Sequence, residues 1–504
     1  MSTGVPEELD GRRKAVILAT CCMSLFIVGL DNTILNVALP SIGRDLGASV
    51  SGLQWATDAY TLVLAGLLML AGSTADRIGR RRVFRTGLVV FAIGSLACGL
   101  APGLGWLVAF RVVQAIGGSM LNPVAMSIIT NTFTDPRERA RAIGLWGAVV
   151  GISMALGPVL GGALVEGLGW RSVFWINLPV AAAAFYLTWR FVPESKASRA
   201  RRPDPLSQVL VIVFLVALTS GIIEGPGHGW TTPWIVALFA LSAVSLAALV
   251  VHSGRRTEPL LDPRFFRSVP FSGATVTAVC AFAAMSGFLF LNTLYLQEVR
   301  GYSPFEAGLY TLPMAVATML CSPLSGRLVA SVGPRPPLLV AGVGMAVSGL
   351  LLTGLGDDTP TALLITSYAV FGLGFGMVNA PITNTAVSGM PRAQAGVASA
   401  VASTSRQVGQ ALGVAVIGST LAASSAAGGG AGSGLATATH TGWWIVAGCG
   451  VAVFLLGIIT TGPRARASAA RIAAAFPSEP GAEPAAGGRR PGGELPSADR
   501  TSTR

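Results

Sequence analysis

Charged residues are scarce. They make up 12% of the 504 residues, about half the share of a soluble protein. Hydrophobic residues make up 52%, and mean hydropathy is +0.64. These values exclude an ordinary water-soluble domain and point to an integral membrane protein. Cysteine is sparse too. Cys21, Cys22, Cys98, Cys280, Cys321 and Cys449 all lie in apolar stretches, which argues against a disulfide framework or a zinc site and for simple packing. His228, His252 and His440 lie in or beside loops without metal-ligand spacing, so no metal is expected. The chain has no Walker loop, which argues against ATP-driven pumping. No loop carries a nucleophile elbow or another catalytic constellation, so an enzyme is not expected, nor is a cofactor. Lysine is nearly absent, at Lys14 and Lys196 only.

Long apolar runs are abundant. They cover 15–39, 54–73, 83–101, 104–127, 142–165, 172–191, 206–223, 233–251, 273–296, 307–330, 337–355, 362–387, 396–421 and 442–461. Each is long enough to span a bilayer. Lipid offers no hydrogen bonds to a backbone, so these fourteen spans are expected to be helices. The first run follows Arg12, Arg13 and Lys14 as a signal peptide would, but no small-residue cleavage site follows it, and a retained span is expected.

Orientation follows from the basic residues. With the N-terminus inside, the inner segments include "GRRK", "DRIGRRR", "DPRERAR", "ESKASRARR" and "GPRPP". Only Arg44, Arg171 and Arg300 fall outside. An even number of spans returns the C-terminus to the inside. The net charge of +12 therefore reflects topology rather than a nucleic-acid partner. The expected organisation is a cytoplasmic N-terminus (1–14), a six-helix bundle (15–191), two inserted helices (206–251), a second six-helix bundle (273–461) and a disordered cytoplasmic tail (462–504). "SSAAGGGAGSG" before the last span reads as a flexible linker.

The chain also repeats itself, at a period of about 250–260 residues. "LDNT" from Leu30 matches "FLNT" from Phe290, and "GSTADRIGRR" from Gly72 matches "GRLVASVGPR" from Gly326. "PRERA" from Pro136 matches "PRAQA" from Pro391, and Gly157 and Gly161 match Gly409 and Gly413. Parallel six-span repeats around a midplane cavity are one architecture of secondary transporters. The halves differ in charge: opposite Asp31, Asp76 and Arg111 this alignment places Leu291, Ala330 and Ala369.

Asp31 sits inside the first apolar run, where a carboxylate costs roughly 3 kcal/mol. Two readings stand: a polar residue tied into helix packing, or a protonatable group facing a water-filled cavity. Asn32 and Asn36 form a polar strip close to it. Asp31 lies about 13 Å below Pro40, and Arg111 about 10 Å below Leu104, so their depths match. A nearby arginine favours a charged carboxylate, and desolvation favours a neutral one. That balance is what proton coupling needs. Arg111 could instead be a structural arginine bonding helix carbonyls, and Gln114, one turn on, could share its network.

These residues resemble the major facilitator superfamily, and within it the fourteen-span drug:proton antiporters, over nearly the whole chain. "LDNTILNVALP" resembles the family's first-helix motif, "GSTADRIGRRR" its loop motif and "LVAFRVVQAIGGS" its fourth-helix motif, with Ala115 in place of a usual glycine. "GISMALGPVLGG" resembles the antiporter motif on the fifth helix, and "WRSVFWINLP" and "STSRQVGQALG" are also similar. Within the family the likeness is to antibiotic-resistance exporters of actinomycetes. The resemblance implies an all-α membrane fold of two six-helix repeats plus two inserted helices. It implies proton-driven efflux of amphipathic organic compounds, antibiotics among them, by a monomer in the cytoplasmic membrane. The alternatives are a proton-coupled uptake symporter or an exporter of a non-drug metabolite. Asp31 and Arg111 would couple protons. Gly72, Asp76, Arg77, Gly79 and Arg80 would form an inner gating loop, with Asp76 pairing with basic residues across the interface between halves. Gly151, Gly157, Pro158, Gly161 and Gly162 would form the antiporter bend. Asn32, Asn36, Gln114 and Arg406 are candidates for the substrate cavity. Asp58, Glu166 and Glu224 are read as solvated charges near outer helix ends.

Overall fold

In a computed structural model, the described residues are 10–197, 204–256, 262–388, 390, 395–426 and 433–474. They are helical, and no strand occurs among them. Six helices come first: α1 (Gly11–Leu46), α2 (Val50–Ile78), α3 (Arg80–Gly99), α4 (Leu104–Thr132), α5 (Pro136–Leu168) and α6 (Ser172–Phe191). α7 (Pro205–His228) and α8 (Pro233–Arg255) follow. The second half is α9 (Val269–Val299), α10 (Pro304–Val332), α11 (Arg335–Leu352), α12 (Thr361–Val387), α13 (Ala395–Ala426) and α14 (Ser433–Thr460). Thirteen of these are apolar enough to cross a membrane by hydropathy, and α13 is not among them. Ser399, Ser403, Thr404, Ser405, Arg406 and Gln407 dilute its hydropathy, and helices on both sides cover it.

Several helices outrun their apolar stretches. α1 continues past Pro40 through polar Ser41, Arg44 and Asp45, and stops only at Gly47, whose φ of +61° few side chains tolerate. The tail departs further from expectation. Residues Pro463–Ala474 form a helix, α15, instead of disorder. Its small residues Ala465, Ser468 and Ala469 are buried, and the Ser468 hydroxyl accepts a hydrogen bond from Val269 N at 3.0 Å. Residues 427–432, the centre of the expected linker, lie outside the described residues, as do Pro391 of the third repeat match and the tail beyond Ala474.

The helix pairings of the first half recur in the second. α1 packs on α5 and α6, α3 on α4 and α6, and α2 on α4; α9 packs on α13 and α14, α11 on α12 and α14, and α10 on α12. Turns repeat as well. Gly79 (φ +128°) and Gly333 (φ +92°) occupy matching turns. Gly47 and Gly301 each precede by two residues the serine that caps the next helix, Ser49 or Ser303. Two parts of the sequence alignment need correction. Gly157 and Gly161 lie against Thr33 and Ile34, late in α1, whereas Gly409 and Gly413 lie against Val279 and Ala283, early in α9. The spacing of two glycines is a general close-packing pattern, so it matched at the wrong depth. The counterparts of Asp31 and Arg111 are not Leu291 and Ala369. The matching turns at Gly47 and Gly301 set Asp31 level with Met285. α4 and α12 both break after sixteen residues, at Met120 and Met377, which sets Arg111 level with Tyr368.

The halves meet along two seams, α2 on α13 and α5 on α10. α7 packs on both α2 and α13, and α8 on α7. Asp204 caps α7: it accepts from Ser207 N at 3.3 Å and Ser207 Oγ at 2.6 Å, and it faces His252 of α8 at 3.2 Å.

The hydrogen bonds that join the halves cluster on the face away from the termini. Gln54 donates to Val414 O and Ala415 O at 3.1 and 2.8 Å, Gln297 to Val37 O at 2.9 Å, and Phe305 N to Glu166 at 3.3 Å. Arg44 pairs with Glu298 at 2.8 Å. An apolar cluster there includes Leu30, Ile34, Leu35, Phe290, Leu294, Val414 and Leu421 from both halves. The protein is thus closed on this far face. The opposite, basic face carries Arg12, Arg13, Lys14 and Arg80 to Arg82.

Candidate proton-coupling site

Asp31 and Arg111 form an ion pair at 2.5 Å, with both side chains 1% exposed. Their depths agree because α1 and α4 run in opposite directions within one half. The carboxylate has further partners. Oδ1 accepts from Gln114 Nε2 at 2.8 Å and from Asn177 Nδ2 at 3.0 Å. Ser95 Oγ accepts from the same two amides at 3.2 and 3.0 Å and donates to Phe174 O at 2.8 Å. Arg111 also donates to Gln114 Oε1 at 2.7 Å and Ala56 O at 3.2 Å. Its guanidinium carbon lies 4.2 Å from the centre of the Tyr60 ring and 5.8 Å from that of Phe174. Five helices thus enclose one buried charge pair.

Such a cluster is high-stakes chemistry. A buried ion pair repays its desolvation only when its remaining donors and acceptors are satisfied. Here Asp31 has three polar side-chain partners. Removing either charge leaves the other buried without compensation. Asn177, Ser95 and Tyr60 were not singled out in the sequence. Asn177 sits inside "WRSVFWINLP", and a neutral polar residue in a span carries little signal of its own.

The other candidates are dispersed. Asn36 is buried but turns its amide back to Asn32 O, at 3.0 Å, on a different face of α1. Arg406, on α13, donates to Thr383 Oγ1 at 2.6 Å and Ser403 Oγ at 3.3 Å. Asp58 is not solvated: it is 0% exposed, with Thr61 Oγ1 at 3.5 Å from one carboxylate oxygen and no partner for the other among the described residues. Its apparent nearness to a helix end misled, because α2 begins two turns earlier, at Val50, and packs along α13. Glu224 accepts from Trp55 Nε1 at 2.7 Å, joining α7 to α2, and Glu166 reaches the second half through Phe305 N.

The basic-face turn is built differently from expectation. Asp76 pairs with Arg80 of its own turn at 2.8 Å, and its backbone oxygen accepts from Ala197 N. Arg80 N donates to Ser195 O, and Glu194 accepts from Arg81 N at 3.1 Å. Arg77 is exposed, and Gly72 approaches Pro123. These ties stay within the first half. The cross-half pairing of Asp76 is not made, because the joined face is the opposite one.

The glycines of α5 let it wedge between α1 and α10. A methyl group at Gly157 would overlap the Thr33 hydroxyl, and one at Gly162 would strike the Pro304 backbone. Gly161 faces Ile34, Gly151 faces Met319, and the carbonyl of Pro158 lies against Gly308.

Comparison with known proteins fits this architecture. The chain is 39% identical over 410 residues to the multidrug resistance protein Stp of Mycobacterium tuberculosis, covering 81% of this chain and 76% of that one. It is 36% identical to the tetracenomycin C resistance and export protein of Streptomyces glaucescens, over 81% of this chain and 76% of that one. A solved bacterial homologue of the human lysosomal transporter Spinster, inward-facing and unoccupied, superposes with a TM-score of 0.62 at 20% identity, covering 93% of this chain and 98% of that one. Residues 21–414 match the family description itself, and the chain belongs to the Major Facilitator Superfamily.

Proposed function

We propose that this protein exports amphipathic organic compounds, antibiotics among them, in exchange for protons. Asp31 takes up and releases the proton, and Arg111 tunes it. The observation that carries this reading is the sealed Asp31–Arg111 pair, with its amide and hydroxyl partners, in a protein joined at one face. The names of the relatives for multidrug resistance and antibiotic export support the direction. The energy comes from the proton gradient, without a cofactor. The basic face lies in the cytoplasm with both termini, and the protein works as a monomer in the cytoplasmic membrane. Asp76, Arg77 and Arg80, with Gly72 and Gly79, latch the basic face when the halves rock and bring the second half within reach. α5, packed on α1 and α10 through Gly151, Gly157, Pro158, Gly161 and Gly162, carries that motion. Asn32, Asn36 and Gln114 contribute polarity to the cavity.

Proteoliposomes test this. An imposed proton gradient should drive an antibiotic against its concentration, and an uncoupler should stop it. Movement of substrate in the same direction as the proton would establish the uptake symporter instead.

A further inference from the structure

The ionisable groups buried in the spans are not equally available. Asp31 is neutralised by Arg111, and both are sealed. Asp58 is sealed between helices. Arg406 differs: it is only half-buried, and among the described residues no carboxylate pairs with it. Its hydrogen bonds go to two neutral hydroxyls, Thr383 and Ser403, and its Nε has no partner among the described residues. The Phe282 ring centre lies 6.0 Å from its guanidinium carbon, and Phe375 meets Phe282 edge-on at 5.2 Å. Gln410, one turn along the same face of α13, has a buried amide oxygen without a partner among the described residues.

The position of Arg406 follows from its helix. The Gly409 and Gly413 side of α13 packs on α9, and the Val408 and Ala411 side packs on α2 and α7. Arg406 and Gln410 lie on the remaining flank, where the Thr383 contact sets Arg406 beside α12 with part of its surface exposed. A guanidinium held at membrane depth without a counter-ion is costly, and its fork of donors suits an oxyanion. A cationic ligand would meet repulsion here. An acid would supply the missing charge, and an attached ring would find aromatic edges beside it.

We propose that Arg406 recognises an acidic oxygen, a carboxylate or ionised phenol, on an aromatic substrate whose ring packs against Phe282 and Phe375. This deepens the efflux reading and rests on it, because it names the class of compound exported.

The test is binding to the purified full-length protein by calorimetry, with anthracene-9-carboxylate, its methyl ester and the cation ethidium as probes. The wild type should bind the acid more tightly than the ester or ethidium. Arg406→Gln should weaken the acid by about tenfold to a hundredfold and leave the ester unchanged, as expected for loss of a charge-assisted contact. Arg406→Lys should restore part of the acid affinity, and thermal melting of each variant checks folding. Equal weakening of acid and ester in Arg406→Gln, or a wild type that binds the ester or ethidium as tightly as the acid, would overturn the proposal. The comparison of probes on the wild type stands even where a variant fails to fold. Proton-driven export is measured separately with the wild type in proteoliposomes. Its absence, with the acid preference intact, would remove the efflux reading and leave the binding site standing.

Discussion

In each half a buried polar pair links the first and fourth helices, with different chemistry. In the first half, Asp31 of α1 meets Arg111 of α4 as a charged pair. In the second half, Asn292 of α9 accepts a hydrogen bond from the Tyr368 hydroxyl of α12. Both pairs are buried, and the Tyr368 ring meets Phe288, which in turn packs on Phe371 and Trp443. The same two helices are therefore joined by a charged pair in the first half and by a neutral pair in the second. The contact links helices in both halves; only in the first does it include an ionisable carboxylate.

Making the first half neutral tests this most severely. Asp31→Asn should reduce proton-driven efflux by about a hundredfold or more while the protein stays inserted and abundant, as loss of an essential ionisable group implies. Drug resistance of a sensitive bacterial host, normalised to expression, measures it. Wild-type resistance would end the proton role.

Arg111→Gln should destabilise the detergent-purified protein by about 3–5 kcal/mol, since Asp31 is left buried without its cation. The double variant with Asp31→Asn should regain much of that loss without regaining transport, because its pair is then as neutral as Asn292–Tyr368. Thermal melting and transport, measured on the same preparations, separate the two quantities. A double variant no more stable than Arg111→Gln would show that the charges are not coupled.

Tyr368→Phe should cost about 1–2 kcal/mol, the loss of one hydrogen bond that leaves a buried oxygen unpaired. The number of protons exchanged per substrate should not change, and a change would give the second half a share in coupling. The smallest effect is expected outside both halves. Ser207, His252 and Arg256 together outweigh burial and hold the Asp204 carboxyl below the usual carboxylate range. A group with a lowered folded pKa contributes stability above its unfolded value and loses it as pH falls through the folded one. Asp204→Ala should thus cost about 1 kcal/mol near neutral pH, with the difference from wild type shrinking below about pH 4. Proton coupling should be unaltered.

The spans were legible because lipid turns long apolarity into helix. Their ends were not, because helices such as α1 continue as polar turns beyond the bilayer core. Asp31, Arg111 and Gln114 could be grouped by depth, since charge in an apolar run is costly enough to stand out. Asn177 and Ser95 carry no such cost, and only the fold brings them to Asp31. Asp58 shows the opposite failure: its place in the sequence gave no sign that α13 would cover it. Tyr368 was missed as the counterpart of Arg111 because that alignment depends on where α4 and α12 break.

The inserted hairpin has a consequence for access from the bilayer. α7 and α8 roof the seam between α2 and α13 on its lipid side, with Ile212 pressed against Gly66 and Phe214 beside Val408. No such cover lies over the seam between α5 and α10 among the described residues, and Leu145, Ile152, Leu156, Val316 and Leu320 stand exposed along it. One seam of the twofold arrangement is therefore screened from the leaflet while the other faces it directly. The same hairpin makes the two sides of the transporter unequal to the lipids around it.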